Sequence, residues 1–313
     1  MSCLPCPCKD FKEITSADIE LVQAYLRRAD YRDSDYNIVC LLLWKHSYQI
    51  WQYHTADWML IMGYHDGVYY VMMPLCDEAH FEEAMRQGEA MFHQAGLSYT
   101  LTSFTAAYRN MALAMYPDYY VITDRDVADY VYLTDSLRTF SGKKLQKKRN
   151  RLNKFYQTYA GRWQYEPIDD HNIEECANFL KGWEQHKEER EETEQESVEL
   201  NYEFEGLQCI FTLRQRLGWV GGAIRIDGRI RAFLIASRLA SDMAQINIEK
   251  ADVRFDGLYQ AVLKEFLKDN FLDCLYLNRE DDMGTENLRQ SKLAYNPVQI
   301  TEKYRLTEGK KEI

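Results

Sequence analysis

Acid–base and anion-binding side chains concentrate in three segments of this chain. From Gln245 to Val262, QINIEKADVRFDGLYQAV reads as a strand ending in Glu249-Lys250, a turn, and a helix beginning near Gly257. Glu249, at the C-terminal end of a central strand, is a candidate general base. A Gly turn entering a helix presents backbone N–H groups to an anion, and Arg254 adds positive charge there. From Leu277 to Pro297, LNREDDMGTENLRQSKLAYNP places Arg279, Glu280, Asp281, Asp282, Glu286, Arg289 and Lys292 right after a short apolar strand. Sites in α/β folds lie at the carboxyl ends of strands. That nominates Asn278, Arg279 and Glu280, with Arg289 and Lys292 one turn apart on the next helix. The competing readings are an internal Glu249–Lys250 ion pair and a buried salt-bridge network between strand and helix.

The third segment is SGKKLQKKRNRLNKF. Between Lys143 and Lys154 it holds seven basic residues (Lys143, Lys144, Lys147, Lys148, Arg149, Arg151, Lys154) and no acidic one. The whole chain carries 38 basic and 49 acidic residues, a net charge of −11, so everything outside this strip sums to −18. On a helix, Lys144, Lys147, Lys148 and Arg151 share one face, while Leu145, Leu152 and Phe155 turn to the core. Such a face suits phosphates: tRNA, a nucleotide-like cofactor or an anionic lipid headgroup. The alternative is a solvated face balanced by the acidic stretch 188–205.

These segments must be held by regular elements. Asp18 to Arg28 has helical apolar spacing, with Thr15 or Ser16 available as N-cap. DWMLIMGYHDGVYYVMMPL reads as two strands around a turn at His65-Asp66-Gly67. Asp77 to Ala95 is helical, LSYTLTSF a strand, and AYRNMALAMY a helix. After DYVYLTD, a strand, come the basic helix and the helix IEECANFLKGWEQHKEER. EEREETEQESVELNYEFE reads as an exposed acidic loop running into the helix FEGLQCIFTLRQRLG. GWVGGAIRIDGRIRAFLIASRL is a hairpin turning at Asp227-Gly228, and DMAQINIEKAD is a further strand. A helix, the strand CLYLNRE, a helix ending at Pro297 and the strand VQITEKYRL complete the chain. The expected architecture is α+β, with two similar modules in tandem and mixed, largely antiparallel sheets: residues 1–128, then 129–313 carrying the candidate site.

Composition narrows the class of protein. At 313 residues, 46% hydrophobic and 28% charged, this is the balance of a globular chain. No run approaches the ~18 apolar residues of a membrane-crossing helix, and the N-terminus lacks a signal-peptide pattern. The expectation is a cytoplasmic protein keeping its eight cysteines as thiols. Cys3, Cys6 and Cys8 are too few for a closed zinc site, so no metal is expected. P-loop, dinucleotide-binding, HExxH and GxSxG patterns are absent. None of the seven histidines follows His186, so chemistry in the second module would run on carboxylates, Tyr, Lys, Asn or backbone groups.

SDYNIVCLLLW, TFSGKKLQKKRNRLNKF, GGAIRIDGRIRAF, INIEKADVRFDGLYQAV and LNREDDMGTENLRQSKLAYNP together resemble, in order, the C-terminal catalytic domain family of phosphatidylglycerol lysyltransferase, in its free-standing branch. The resemblance implies a tandem of GNAT-type N-acyltransferase modules, an architecture similar to that of Fem-type aminoacyltransferases. It implies transfer of an aminoacyl or acyl group, without fixing donor or acceptor. Acetyl-CoA enzymes carry Arg/Gln-x-x-Gly-x-Gly/Ala at the turn where this chain has Arg254-Phe255-Asp256-Gly257-Leu258-Tyr259. Tyr259 and Asp256 depart from that pattern and disfavour CoA. The expected donor is therefore aminoacyl-tRNA, with acyl-CoA as the alternative, and no further cofactor is required. On this resemblance Glu249 is the base and Tyr295 the acid. Lys250, Arg254, Gly257, Tyr259, Arg279, Glu280, Arg289 and Lys292 bind substrate, Asn278 holds the acceptor, and the basic strip takes phosphates. A non-catalytic ligand-binding or regulatory protein on the same fold is the alternative.

Overall fold

The computed structural model describes residues 6–188 and 194–309. The chain turns at Asp66-Gly67 and at Asp227-Gly228 with both residues left-handed (φ 48° and 82°, then 50° and 76°). This geometry matches the twist of paired strands and forms the two hairpins expected from the sequence.

The first half contains β1 (Lys12–Glu13), α1 (Ile19–Ala29), α2 (Ile38–Leu43), α3 (Lys45–Tyr48), β2 (Ile50–His54), β3 (Met59–His65), β4 (Val68–Met72), α4 (Phe81–Gln94), β5 (Tyr99–Phe104), α5 (Ala106–Met115) and β6 (Tyr119–Thr123). The second contains β7 (Asp129–Leu133), α6 (Thr134–Thr139), α7 (Gln146–Thr158), β8 (Trp163–Pro167), α8 (Ile173–Glu188), α9 (Glu194–Thr212), α10 (Arg214–Leu217), β9 (Val220–Ile226), β10 (Arg229–Ala240), β11 (Met243–Ala251), α11 (Leu258–Asp269), β12 (Tyr276–Asn278), α12 (Glu286–Leu293), β13 (Gln299–Thr301) and β14 (Tyr304–Glu308). α1 forms where expected because Ile19, Val22 and Leu26 make one buried stripe, and Asp30 ends it in the left-handed region.

Two mixed sheets result, in the orders β1-β2-β3-β4-β5-β14-β6 and β13-β7-β12-β11-β10-β9-β8. The chain changes sheet at Asp129, and the last strand crosses back. β14, expected in the second module, lies between β5 and β6 of the first sheet. Each sheet holds one parallel pair: β4 with β5, and β11 with β12.

Two features of β11 position the site. It pairs with β12 only from Met243 to Gln245, beyond which the two strands diverge. A bulge opposite Ile235/Ala236 leaves Asn247 without a ladder partner. The extra residue reverses the alternation of faces. Ala244, Ile246 and Ala251 therefore join the core under α11, while Ile248 joins the core shared with the first module.

Helices α8 and α9 join the modules. A Cβ on Gly206 of α9 would fall 1.8 Å from Leu43 O, so α9 packs directly on the end of α2. Much of the expected acidic loop is helical, since α9 begins at Glu194. Buried Lys303 sits at the seam, 3.0 Å from Asp129 Oδ1, 3.4 Å from Asp33 Oδ1 and 2.8 Å from Asp35 Oδ1, and it donates to Ser34 Oγ at 2.9 Å.

Candidate functional site

Where β11 and β12 part, one ion pair spans the opening. Arg279, immediately after β12, donates through Nη2 to Glu249 Oε2 at 2.5 Å. Both side chains are nearly buried, 9% and 10% exposed. Glu249 Oε1 and the Arg279 Nε and Nη1 groups are buried without partners. Burial works against the guanidinium charge, but Glu249, Tyr295 and Tyr132 hold it firmly protonated. A buried polar group left unpaired costs about 1–3 kcal/mol. Three such groups on one ion pair leave hydrogen-bonding capacity that water or another molecule can meet.

Aromatic side chains line this opening. The Arg279 guanidinium lies 4.5 Å from the Tyr295 ring centre and 5.7 Å from that of Tyr132. The Tyr295 hydroxyl accepts from Gln260 Nε2 of α11 at 2.7 Å, which leaves its own proton to donate. Burial raises the Tyr295 pKa, opposed by Arg279, so the phenol stays protonated. Burial and Glu249 push Tyr259 up to about 12. Lys148 Nζ of α7 stands 3.9 Å from the Tyr295 ring centre. Burial, then Arg279 and Arg151, push this lysine down to about 8. Glu249, Arg279, Tyr295 and Tyr259 thus meet as the sequence suggests. Lys148 meets them too, although the helical spacing assigns it to the outer phosphate face. Tyr132 and Gln260 were not foreseen, because nothing local distinguishes them from core residues.

Other candidates are committed to the fold. Asn278, expected to hold the acceptor, is buried and donates to Asp129 Oδ2 at 2.8 Å and to Arg32 O at 3.3 Å. Arg289 is not turned to a substrate: it bonds Asp282 through Nε (2.9 Å) and Nη2 (2.7 Å), and Asp126 at 2.5 Å. Lys292 Nζ donates to the carbonyls of Arg279 and Asp281 and so shapes the Arg279 loop. Glu280 turns to the seam and accepts from Gln245 Nε2 at 2.7 Å. Lys250, next to Glu249 in an extended strand, points to the opposite face.

The turn before α11 also differs from expectation. Arg254 bonds Asp252 at 2.6 and 2.8 Å rather than facing an anion. Gly257 has φ 88°, and a Cβ there would lie 2.7 Å from Arg151 O. The close approach that Gly257 permits is therefore taken by α7. Asp256 pairs with Arg151 at 3.0 Å and Lys154 at 3.4 Å. Arg149 donates to Phe140 O at 2.6 Å and Gly142 O at 3.2 Å. Of the seven strip residues, Lys143, Lys144 and Lys147 remain as the outward-facing cations with no such commitment. Cys3 lies outside the described residues, and the Cys6 thiol donates to Cys8 O at 3.3 Å. Among the described residues no group of three metal-ligating side chains occurs, and no helix is long and apolar enough to cross a membrane.

Known proteins share this fold. A conserved protein of unknown function from Bacteroides thetaiotaomicron is 29% identical over 95% of this chain and 99% of its own, with a TM-score of 0.87. L-PGS from Bacillus licheniformis, at 13% identity, has the same fold with a TM-score of 0.67 over 96% of this chain and 94% of its own. FemX aligns with a TM-score of 0.50 at 9% identity over 95% of this chain and 96% of its own. These neighbours share the mixed α+β fold with its two sheets. An uncharacterised protein of Mycoplasmoides gallisepticum, MYCGA3080, is 28% identical over 176 residues, which span 56% of this chain and only 54% of that one. The family model described as phosphatidylglycerol lysyltransferase, C-terminal, matches residues 26–307, and this chain belongs to that family.

Proposed function

We propose that this protein transfers an aminoacyl or acyl group, with aminoacyl-tRNA as donor, to an amine or hydroxyl acceptor in the opening between β11 and β12. The observation that carries the reading is the Glu249–Arg279 pair with its three unpartnered buried groups. Glu249 Oε1 is free to take the acceptor's proton. Attack on the ester carbonyl then forms a tetrahedral oxyanion, for which Arg279 Nε–H and Nη1–H are fixed donors. Tyr295, protonated, returns a proton to the departing hydroxyl of the donor.

Helix α7 and the charge of Asp256 occupy the turn where a CoA pyrophosphate would approach, which favours tRNA over acyl-CoA. Lys143, Lys144 and Lys147 supply an exposed landing for phosphates. The direct Glu249–Arg279 ion pair favours one second reading: a non-catalytic binding protein that keeps the GNAT-like frame.

Charged tRNA pools and acyl-CoAs, each tested by thermal shift and by label transfer, separate these readings. The expected result is binding of charged tRNA that weakens steeply with salt, with transfer lost in Glu249→Gln. Charged tRNA that fails to bind at low salt overturns the donor assignment. Binding without transfer to any amine or hydroxyl acceptor favours the non-catalytic reading.

A further inference from the structure

Lys148, Lys292 and Lys303 are all drawn in from solvent, and they differ in what they hold. Lys303 donates to Ser34 Oγ at 2.9 Å and pairs with Asp35 and Asp129 at the seam. Lys292 donates to the carbonyls of Arg279 and Asp281. Lys148 makes no hydrogen bond or ion pair among the described residues; its Nζ rests 3.9 Å from the Tyr295 ring centre. Its neighbours on α7 are committed, Arg149 to Phe140 O and Arg151 and Lys154 to Asp256. Lys148 is only partly covered, so a small molecule entering the opening can reach it.

A lysine amine is a nucleophile only once it has lost its proton. Burial, then the charges of Arg279 and Arg151, oppose protonation of Lys148, while Glu249 favours it; the balance brings it down to about 8. A lysine set against apolar surface and beside another cation is thereby activated for covalent chemistry. The other parts of an acyl transfer stand around the same ring. The Arg279 guanidinium lies 4.5 Å from the Tyr295 ring centre, with its Nε–H and Nη1–H groups buried and unpartnered. The Tyr295 oxygen accepts from Gln260 Nε2 and keeps its own proton to donate.

We propose that Lys148 is an acyl acceptor within the protein itself: an ester held in the opening passes its acyl group to Lys148 Nζ, with Arg279 holding the oxyanion. The inference rests on reading this opening as an acyl-transfer site. The neutral amine attacks the ester carbonyl, and the new C–N bond creates a tetrahedral oxyanion bound by Arg279 Nε–H and Nη1–H. The C–O bond to the donor's alcohol then breaks. The departing oxygen takes the Tyr295 proton, the nitrogen releases its own proton to water, and water reprotonates Tyr295. The product is a neutral, stable amide, one acyl group per chain.

Treatment of the full chain with p-nitrophenyl acetate, an ester whose leaving group departs without a proton, followed by peptide mass mapping, tests it. Lys148 should be acetylated at least about tenfold faster than Lys143, Lys144 and Lys147 of the same strip. Arylation by fluorodinitrobenzene is the control, since it consumes the same free amine without a carbonyl oxyanion. Arg279→Lys keeps the charge and removes the Nε–H and Nη1–H pair. It should slow acetylation of Lys148 at least about tenfold more than it slows arylation. Acetylation of Lys148 no faster than that of its neighbours overturns the proposal, and this comparison needs no variant. So does an Arg279→Lys chain, still unfolding cooperatively, in which both reactions slow alike: amine exposure alone would then set the rate. The probe needs neither tRNA nor an added acceptor. Lys148 left unlabelled while charged tRNA still transfers to an acceptor overturns this proposal alone. Arg279-dependent labelling without any transfer from tRNA upholds it and overturns tRNA as the donor.

Discussion

Arg279 and Arg289 lie ten residues apart in one charged segment, and each meets a buried carboxylate. Arg289 spends its fork on Asp282 and Asp126, while Asp282 also accepts from the Tyr130 hydroxyl at 2.5 Å and Gly284 N at 3.1 Å. The hydrogen bonds from Arg289 hold Asp282 well below the usual carboxylate range. Arg279 makes one bond to Glu249 and keeps two buried N–H groups idle. The first arrangement is closed and ties the loop before β7 to α12. The second is unfinished. Both set an arginine on a buried carboxylate, so the remaining hydrogen-bonding capacity separates a structural network from a candidate site. Lys303 at the seam belongs with the closed kind.

The largest effect expected of this contrast is at Lys303. Lys303→Met leaves Asp129, Asp33 and Asp35 facing one another without a cation, and should cost about 3–5 kcal/mol in urea unfolding. A loss under about 1 kcal/mol would show that the seam is held by its apolar core alone. At the unfinished pair, Glu249→Gln should reduce transfer about 100-fold or more while the unfolding transition stays cooperative. Retained transfer would remove Glu249 from the mechanism.

Glu280 sharpens the comparison through pH. Its folded pKa of about 8 lies above the ordinary 4.5, so between these values the folded protein keeps a proton that the unfolded chain loses. Wild-type stability should therefore fall as pH rises through that window, and Glu280→Gln should lack this component. The stability difference between the two should grow by about 1 kcal/mol or more from pH 5 to pH 8. A constant difference would mean that Glu280 titrates normally. For Lys148, acylation by an amine reagent mapped by peptide mass should show a midpoint near pH 8, against 10.5 for ordinary lysines. A midpoint indistinguishable from those of Lys144 and Lys147 would place it back on the outer face. The smallest structural effect belongs to Lys144→Glu with Lys147→Glu: stability within about 0.5 kcal/mol of wild type, with tRNA binding weakened and its salt dependence reduced. Unchanged tRNA affinity would remove the strip from donor binding.

Local signals were legible where one residue type decides a conformation. Asp-Gly pairs marked both hairpins, and the apolar stripe marked α1. Glu249, Arg279 and Tyr295 were legible because each ends or follows an element that runs to the same edge. Lys148 was misread because helical spacing defines faces without saying which of them a second body covers, and the strand order bringing α7 over Tyr295 is not in the spacing. Asn278 and Arg289 were misread because a polar residue after a strand has the same sequence signature whether it binds ligand or architecture. β14 was placed in the wrong sheet because its alternation fits either edge equally well.

Sequence alone therefore determined the tandem α+β plan, the charge separation between one basic strip and an acidic remainder, and the strand ends where chemistry is concentrated. These follow from periodicity, turn chemistry and charge, which act over a few residues. Tertiary structure decided which charges are spent and which are left over. It did so through the divergence of β11 from β12, the bulge at Asn247 and the return of β14, since hydrogen-bonding capacity is used up by partners distant in the chain.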